Sequence, residues 1–199
     1  ISTMAREIVI GTAHHYNWVN IGGAITHPDK GKRFDLNDDT NKNAGITDAS
    51  VYLYPVDGYG SPELIRQMIE MEKPDALMMF TDPRYWTWLF EIEREIRNEI
   101  PLLYLNIWDD YPAPLYNKPY YESCDLLMAI SKQTKNINEI VLGEQAQDKI
   151  IKYVPHGIND KFFFPMTSVE ELETLGEFKK NLFGGKDIEF VASVSYTHL

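Results

Sequence analysis

Short continuous apolar runs alternate with stretches whose apolar residues recur at helical spacing. The runs at Glu7–Ile10, Val51–Tyr54, Ala76–Phe80, Leu102–Ile107, Leu126–Ile130 and Ile150–Val154 predict β-strands. Uninterrupted apolar strands of this length suit a parallel sheet buried on both faces. Between them, Ser61-Pro62-Glu63 reads as an N-cap with proline at the first helical position, and Leu64, Ile65, Met68 and Ile69 then line one face. A second stripe runs from Arg84 to Glu99 through Tyr85, Trp88, Leu89, Ile92 and Ile96. Ser131 predicts the cap of a helix that turns Ile137, Ile140 and Val141 inward, and Ser168–Phe183 predicts a further capped helix. Asp187–Val194 reads as the first strand of another unit. Residues 24–50 are polar and rich in glycine and asparagine, which predicts a long loop. Strand and helix in alternation predict an α/β domain, a Rossmann-like, doubly wound parallel sheet with only the start of a second domain after it.

Composition narrows the function classes. With 199 residues, 44 % hydrophobic and 25 % charged, the chain has the balance of a globular protein, enough for one full domain. A net charge of −11 repels phosphate backbones, so nucleic acid is not an expected partner, whereas a nucleotide or phosphorylated sugar can be held by local groups. Cys124 is the only cysteine, so no internal disulfide or cysteine zinc site is expected and a reducing cytoplasm fits. No apolar run approaches the roughly 18 residues of a membrane span. The first seven residues lack the apolar core of a signal peptide, and Met4 reads as the start of translation.

Ligands of open α/β sheets bind beyond the carboxyl ends of the strands. Applied to the predicted strands, that rule selects His14, His15, Gly22 and Gly23 after the first strand. It selects Asp82 and Arg84 after Phe80, Asp109 and Asp110 after Ile107, Ser131 after Ile130, and His156 and Gly157 after Val154. Gly22-Gly23 either lets the backbone approach a phosphate or sugar, or makes a tight turn. Arg84 forks onto phosphate, is tied to Asp82, or helps start the following helix. Asp109 and Asp110 are candidates to bind a sugar or serve as a base, or are only caps. One of His14 and His15 is a candidate to hydrogen-bond a substrate hydroxyl or act as an acid/base, and the other to pack. No metal site is expected, because neither histidine has an acid or cysteine at ligand spacing. Asp35–Asn41 imitates a calcium loop but has Thr40 where the turn glycine belongs, so it reads as a solvated loop. There is no GxGxxG and no Walker lysine motif.

The segment Val154-Pro155-His156-Gly157-Ile158-Asn159, followed by Phe164-Pro165, resembles the interdomain signature of family 4 glycosyltransferases of the GT-B fold. Cys124-Asp125-Leu126-Leu127-Met128-Ala129-Ile130-Ser131 is similar to that family's last strand-and-cap motif before the signature, and Gly22-Gly23-Ala24 to its first glycine loop. The resemblance implies that residues 1–155 are an acceptor-side Rossmann-like domain, 156–166 a linker, and 167–199 the truncated start of a donor-binding domain. The final residues, 194–199, read as an artefact of truncation. It implies retaining, metal-independent transfer from a UDP- or GDP-linked sugar to a glycan, lipid or other acceptor, with no further cofactor. The implied roles are catalytic for Asp109 and His14, and substrate- or donor-binding for Gly22, Gly23, His15, Arg84, Asp110, Ser131, His156 and Gly157. This fragment alone is expected to be inactive. Two departures stand out: Trp108 and Asp109 lack a neighbouring histidine, and His156 replaces the family's usual asparagine. The alternatives are a GT-B nucleotide-sugar epimerase and a non-enzymatic carbohydrate- or protein-binding module. In the module, Tyr85–Trp88 and Tyr116–Tyr121 would form the recognition surface.

Overall fold

The structure is a computed structural model that describes residues 2–23 and 26–186. It divides into two compact units, Ile1–Gly157 and Ile158–Leu199. The division falls inside the stretch 156–166 that the sequence marks as a linker. The predicted strand at 187–194 and the tail at 194–199 lie outside the described residues.

The first unit is α/β and Rossmann-like. Its elements are α1 (Ser2–Thr12), β1 (Trp18–Gly22), β2 (Phe34–Asp35), α2 (Asn37–Ala44), β3 (Val51–Pro55), α3 (Pro62–Glu72), β4 (Leu77–Phe80), α4 (Thr87–Glu91), α5 (Glu93–Arg97), β5 (Leu102–Asn106), α6 (Lys118–Glu122), β6 (Leu126–Ala129), α7 (Lys132–Leu142) and β7 (Ile150–Tyr153). Strands β4, β5, β6 and β7 form an all-parallel sheet in that order. A second ladder has the order β1-β3-β2, with β1 parallel and β2 antiparallel to β3. Leu102, Tyr104, Leu127, Tyr121, Leu89, Ile96 and Ile137 fill the main core, with at most 2 % of each exposed. These are the apolar runs and stripes of the sequence, placed where solvent exclusion is most favourable. No helix among the described residues is long and apolar enough to cross a membrane.

Three predicted elements change. The run Glu7–Ile10 is helical, not a strand: it lies in α1, whose Val9, with Ala13 in the turn just after the helix, buries against Ala49 and Val51. The first strand is instead Trp18–Gly22, whose apolar run is broken by Asn20; the Asn20 amide donates to the Tyr52 carbonyl at 3.2 Å. Within 24–50 the expected loop contains β2 and the polar helix α2. Asn37 Oδ1 accepts from the Val51 amide at 2.7 Å and Asn41 Oδ1 from the Ala49 amide at 2.9 Å. These asparagines anchor the entry to β3, so α2 needs little apolar stripe. Gly45 ends it in the left-handed conformation. The helix predicted over 84–99 is broken at Ile92 into α4 and α5, preceded by a short 3-10 turn at Pro83–Trp86.

In the second unit, α8 (Val169–Phe183) begins with a complete capping box. Ser168 Oγ accepts from the Glu171 amide, while the Glu171 carboxylate accepts from the Ser168 amide.

Candidate functional site

The carboxyl ends of β1 and β3 to β6 feed loops that touch one another in series. Gly23, after β1, packs so tightly on the loop after β3 that a Cβ there would lie 2.7 Å from the Gly58 carbonyl oxygen. Glycine is therefore required at 23 by close backbone approach. In the same loop Tyr59 stacks on Tyr85, after β4, with ring centroids 4.4 Å apart and planes 9° from parallel. The Arg84 guanidinium sits 5.6 Å from the centre of the Tyr116 ring, which meets Trp108 edge-on at 6.1 Å. Gln133, in the first turn of α7, donates to the Asp109 carbonyl at 2.6 Å. One continuous surface thus runs from Gly23 to the start of α7.

The loop after β4 is strained into place. Thr81 is buried with φ of +125°, a conformation that β-branched residues rarely adopt. Its carbonyl accepts from the buried Tyr104 hydroxyl at 2.9 Å. Next to it, Asp82 Oδ1 caps the 3-10 turn by accepting from the Arg84 amide at 2.9 Å, and both carboxylate oxygens take the Arg84 guanidinium. The guanidinium bonds hold the Asp82 carboxyl below the usual carboxylate range, and burial only partly opposes them. The same pairing raises the arginine's pKa further. Of the sequence readings for Arg84, the tie to Asp82 is present.

Beneath the surface lies a polar cluster that sequence reasoning missed. Asn106, at the end of β5, donates to the Tyr121 hydroxyl at 2.9 Å and to Asn138 Oδ1, and accepts from the Trp108 amide at 3.0 Å. Asn117 donates to the same hydroxyl at 3.4 Å, and all four cluster side chains are at most 1 % exposed. Burial pushes the Tyr121 phenol up, against the opposing hydrogen bonds of Asn117 and Asn106. Asn117 Oδ1 and Asn138 Nδ2 have no partner among the described residues. The available signal was periodicity: Thr134, Ile137, Asn138 and Val141 share one helical face, and two of the four are polar.

The cluster holds the loop that carries Asp109 and Asp110. Trp108 Nε1 donates to the Asp110 carbonyl at 2.9 Å, and Asp110 Oδ1 accepts from the Tyr111 amide at 2.8 Å. The Asp109 carboxylate is exposed and has no hydrogen-bond or ion-pair partner among the described residues. Ser131 is spent as the cap of α7, its Oγ accepting from the Thr134 amide at 2.9 Å. His156 and Gly157 follow β7 and are exposed.

His14 and His15 are placed differently. Their ring centroids lie 3.9 Å apart with the planes tilted by 41°, in the turn before Trp18 at the amino end of β1. Because the first strand is not Glu7–Ile10, the strand-end argument that selected them does not apply. The aromatic segments are also divided: Tyr85 and Tyr116 are exposed, whereas Tyr121 is fully buried. Among the described residues no group of three His, Cys, Asp or Glu side chains gathers at metal-ligand distance. A shallow depression of about 280 Å³ adjoins the carboxyl end of β3, lined by Lys30, Asp57, Ser61 and Leu64. A larger one of about 380 Å³ lies between α3 and α5, away from the strand ends. Comparison with protein-family models, with curated proteins and with solved structures finds no match to this chain.

Proposed function

We propose that this chain is the acceptor-side part of a glycosyltransferase that moves a sugar from a UDP- or GDP-linked donor to a glycan, lipid or other acceptor, with retention and without a metal. One observation carries the reading: the loops bearing Gly22-Gly23, Asp82-Arg84, Asp109-Asp110 and Ser131 are contiguous on the carboxyl edge of a Rossmann-like unit. The glycosyltransferase-like segment Val154–Asn159 follows the last strand of that same unit. Asp109, with its free carboxylate, orients the acceptor hydroxyl by accepting its proton in a hydrogen bond. The departing diphosphate needs positive charge. On this unit the candidates are the N-terminus of α7 and Lys132 in its first turn, an exposed cation without an ion-pair partner among the described residues. His14 has no part in this scheme.

The test is calorimetric titration of the complete gene product carrying this chain with UDP-glucose and GDP-mannose, with sugar release or transfer followed by NMR. Binding and turnover of either donor are expected. Asp109→Asn is expected to lower transfer by about a hundredfold while donor binding persists. Absence of both donor binding and turnover in the intact protein refutes the reading. A second reading, a carbohydrate-binding module without catalysis, is favoured by the exposed rings of Tyr85 and Tyr116. It predicts saccharide binding with no donor turnover.

A further inference from the structure

We propose that Tyr85 backed by Tyr59, together with the Arg84 fork and Tyr116, forms a platform that takes one ring of a neutral saccharide. Calling that saccharide the acceptor rests on the transferase reading; the platform itself does not.

Geometry comes first. Tyr85 is 51 % exposed although one face of its ring lies flat on Tyr59. Tyr59 is in turn braced edge-on by Trp86 at 5.9 Å. The outward face of Tyr85 is therefore a fixed, flat, half-apolar surface whose ordering cost is met on folding. A pyranose presents a face of C–H bonds that stacks on such a ring, and an edge of hydroxyls that needs donors and acceptors beside it. Arg84 supplies the donors. Asp82 occupies Nε and one Nη, and no partner among the described residues takes the N–H groups of Nη1. The Arg84 side chain is 55 % exposed and lies beside Tyr116, itself 57 % exposed.

Charge chooses between ligands. The Arg84 cation is already neutralised by a two-point bond to Asp82, and the next loop adds Asp109 and Asp110. A phosphate or nucleotide placed on this patch meets no net positive charge, whereas a neutral polyol requires none. Composition also argues against a lipid chain: the exposed large apolar residues of these loops are Tyr85, Tyr111, Tyr116 and one aliphatic residue, Leu115. Acyl chains favour aliphatic walls, and flat rings beside a fixed fork favour sugars.

The platform lies wholly within the first unit, so the 199-residue chain itself can be tested. The probes are maltotriose, cellotriose and mannotriose, followed by tryptophan fluorescence and saturation-transfer NMR, with UDP as the anionic comparison. At least one trisaccharide is expected to bind. Tyr85→Ala and Tyr116→Ala are each expected to weaken it by about tenfold, roughly 1.4 kcal/mol. Tyr85→Phe, which keeps the ring, should retain binding, and Arg84→Lys, which keeps the charge but loses the fork, should weaken it. The platform is overturned if no trisaccharide binds, if the alanine variants bind like the parent while circular dichroism shows them folded, or if UDP is the ligand lost on Tyr85→Ala. Donor turnover by the intact protein is scored separately. Turnover without ring-dependent saccharide binding sinks the platform alone, and ring-dependent binding without turnover sinks the transferase alone.

Discussion

Replacing Asn106 by leucine tests whether the buried amide cluster holds the candidate site together. The two side chains have equal numbers of heavy atoms, so no cavity opens and the effect is one of lost polar partners. Asn106→Leu strands the Asn138 amide oxygen and the Trp108 amide, and leaves the Tyr121 hydroxyl with only its 3.4 Å bond from Asn117. The buried Asn138 oxygen costs about 1–3 kcal/mol; the weakened Tyr121 hydroxyl adds about 1 kcal/mol, and the Trp108 amide, nearer the surface, less than about 1 kcal/mol. Burying the isobutyl group offsets about 2 kcal/mol, which leaves a net loss near 2 kcal/mol. For a unit of this size that lowers Tm by roughly 4–8 °C. All four tryptophans, Trp18, Trp86, Trp88 and Trp108, belong to the first unit, so fluorescence melting reports on it alone. Adding Tyr121→Phe removes the hydroxyl that has lost its shorter bond, so the double variant should be more stable than the sum of the two singles by about 1 kcal/mol. A fall in Tm under about 2 °C for Asn106→Leu, or strict additivity of the pair, refutes the cluster's structural role.

Two further outcomes follow from the lower layers of the unit. Burial pushes the Cys124 thiol up to about 12, despite the nearby Lys149, so it should resist alkylation by iodoacetamide at neutral pH until the protein is unfolded; rapid native labelling, read by mass spectrometry, contradicts its placement in the core. Asp125 is partly desolvated, which raises its pKa, but the Arg97 guanidinium and the Leu102 amide outweigh this and the net direction is downward. A carboxyl depressed in the folded state contributes stability above its unfolded pKa, so Asp125→Asn should lower Tm at pH 7. The gap to the parent should then close as pH falls below about 4, toward the folded value. A gap independent of pH rules out the carboxylate as its source.

The legibility of the fold follows from where its information resides. Strands β3 to β7 and helices α3, α7 and α8 declare themselves because apolar runs and side-chain caps are local signals, and the caps at Ser61, Ser131 and Ser168 all form as the sequence predicts. The exchange of Glu7–Ile10 for Trp18–Gly22 as the first strand has a different origin. A short apolar run has no period of its own, and what decides for helix is the burial of Val9 and Ala13 against Ala49 and Val51, about 40 residues away. Helix α2 was illegible because it is held by asparagine bonds to later backbone rather than by an apolar face. In the site, loop positions after the strands were readable from topology, whereas the amide cluster needed the knowledge that Asn106 and Asn138, 32 residues apart, face each other.

Arg84 shows how pairing reverses the chemistry read from a residue type. Isolated, it suits a phosphate; in place, any phosphate must share it with Asp82. The ion pair itself is only modestly stabilising at a partly exposed position. The obstacle is instead that Asp82 keeps its charge when a phosphate arrives, so two anions compete for one guanidinium. At about 4 Å in a solvated setting, one such repulsion is worth on the order of 1 kcal/mol. Asp82→Asn removes it while keeping an oxygen to cap the Arg84 amide, so the turn should persist. UDP affinity of this variant should therefore rise about fivefold at low ionic strength, with the gain fading as salt approaches physiological levels. Trisaccharide affinity should change less, because a neutral ring is indifferent to the charge. Calorimetry with both ligands at two salt concentrations measures the contrast. If UDP affinity is unchanged in low salt, Arg84 is not limited by its carboxylate, and the choice of a neutral ligand for this patch loses its electrostatic basis.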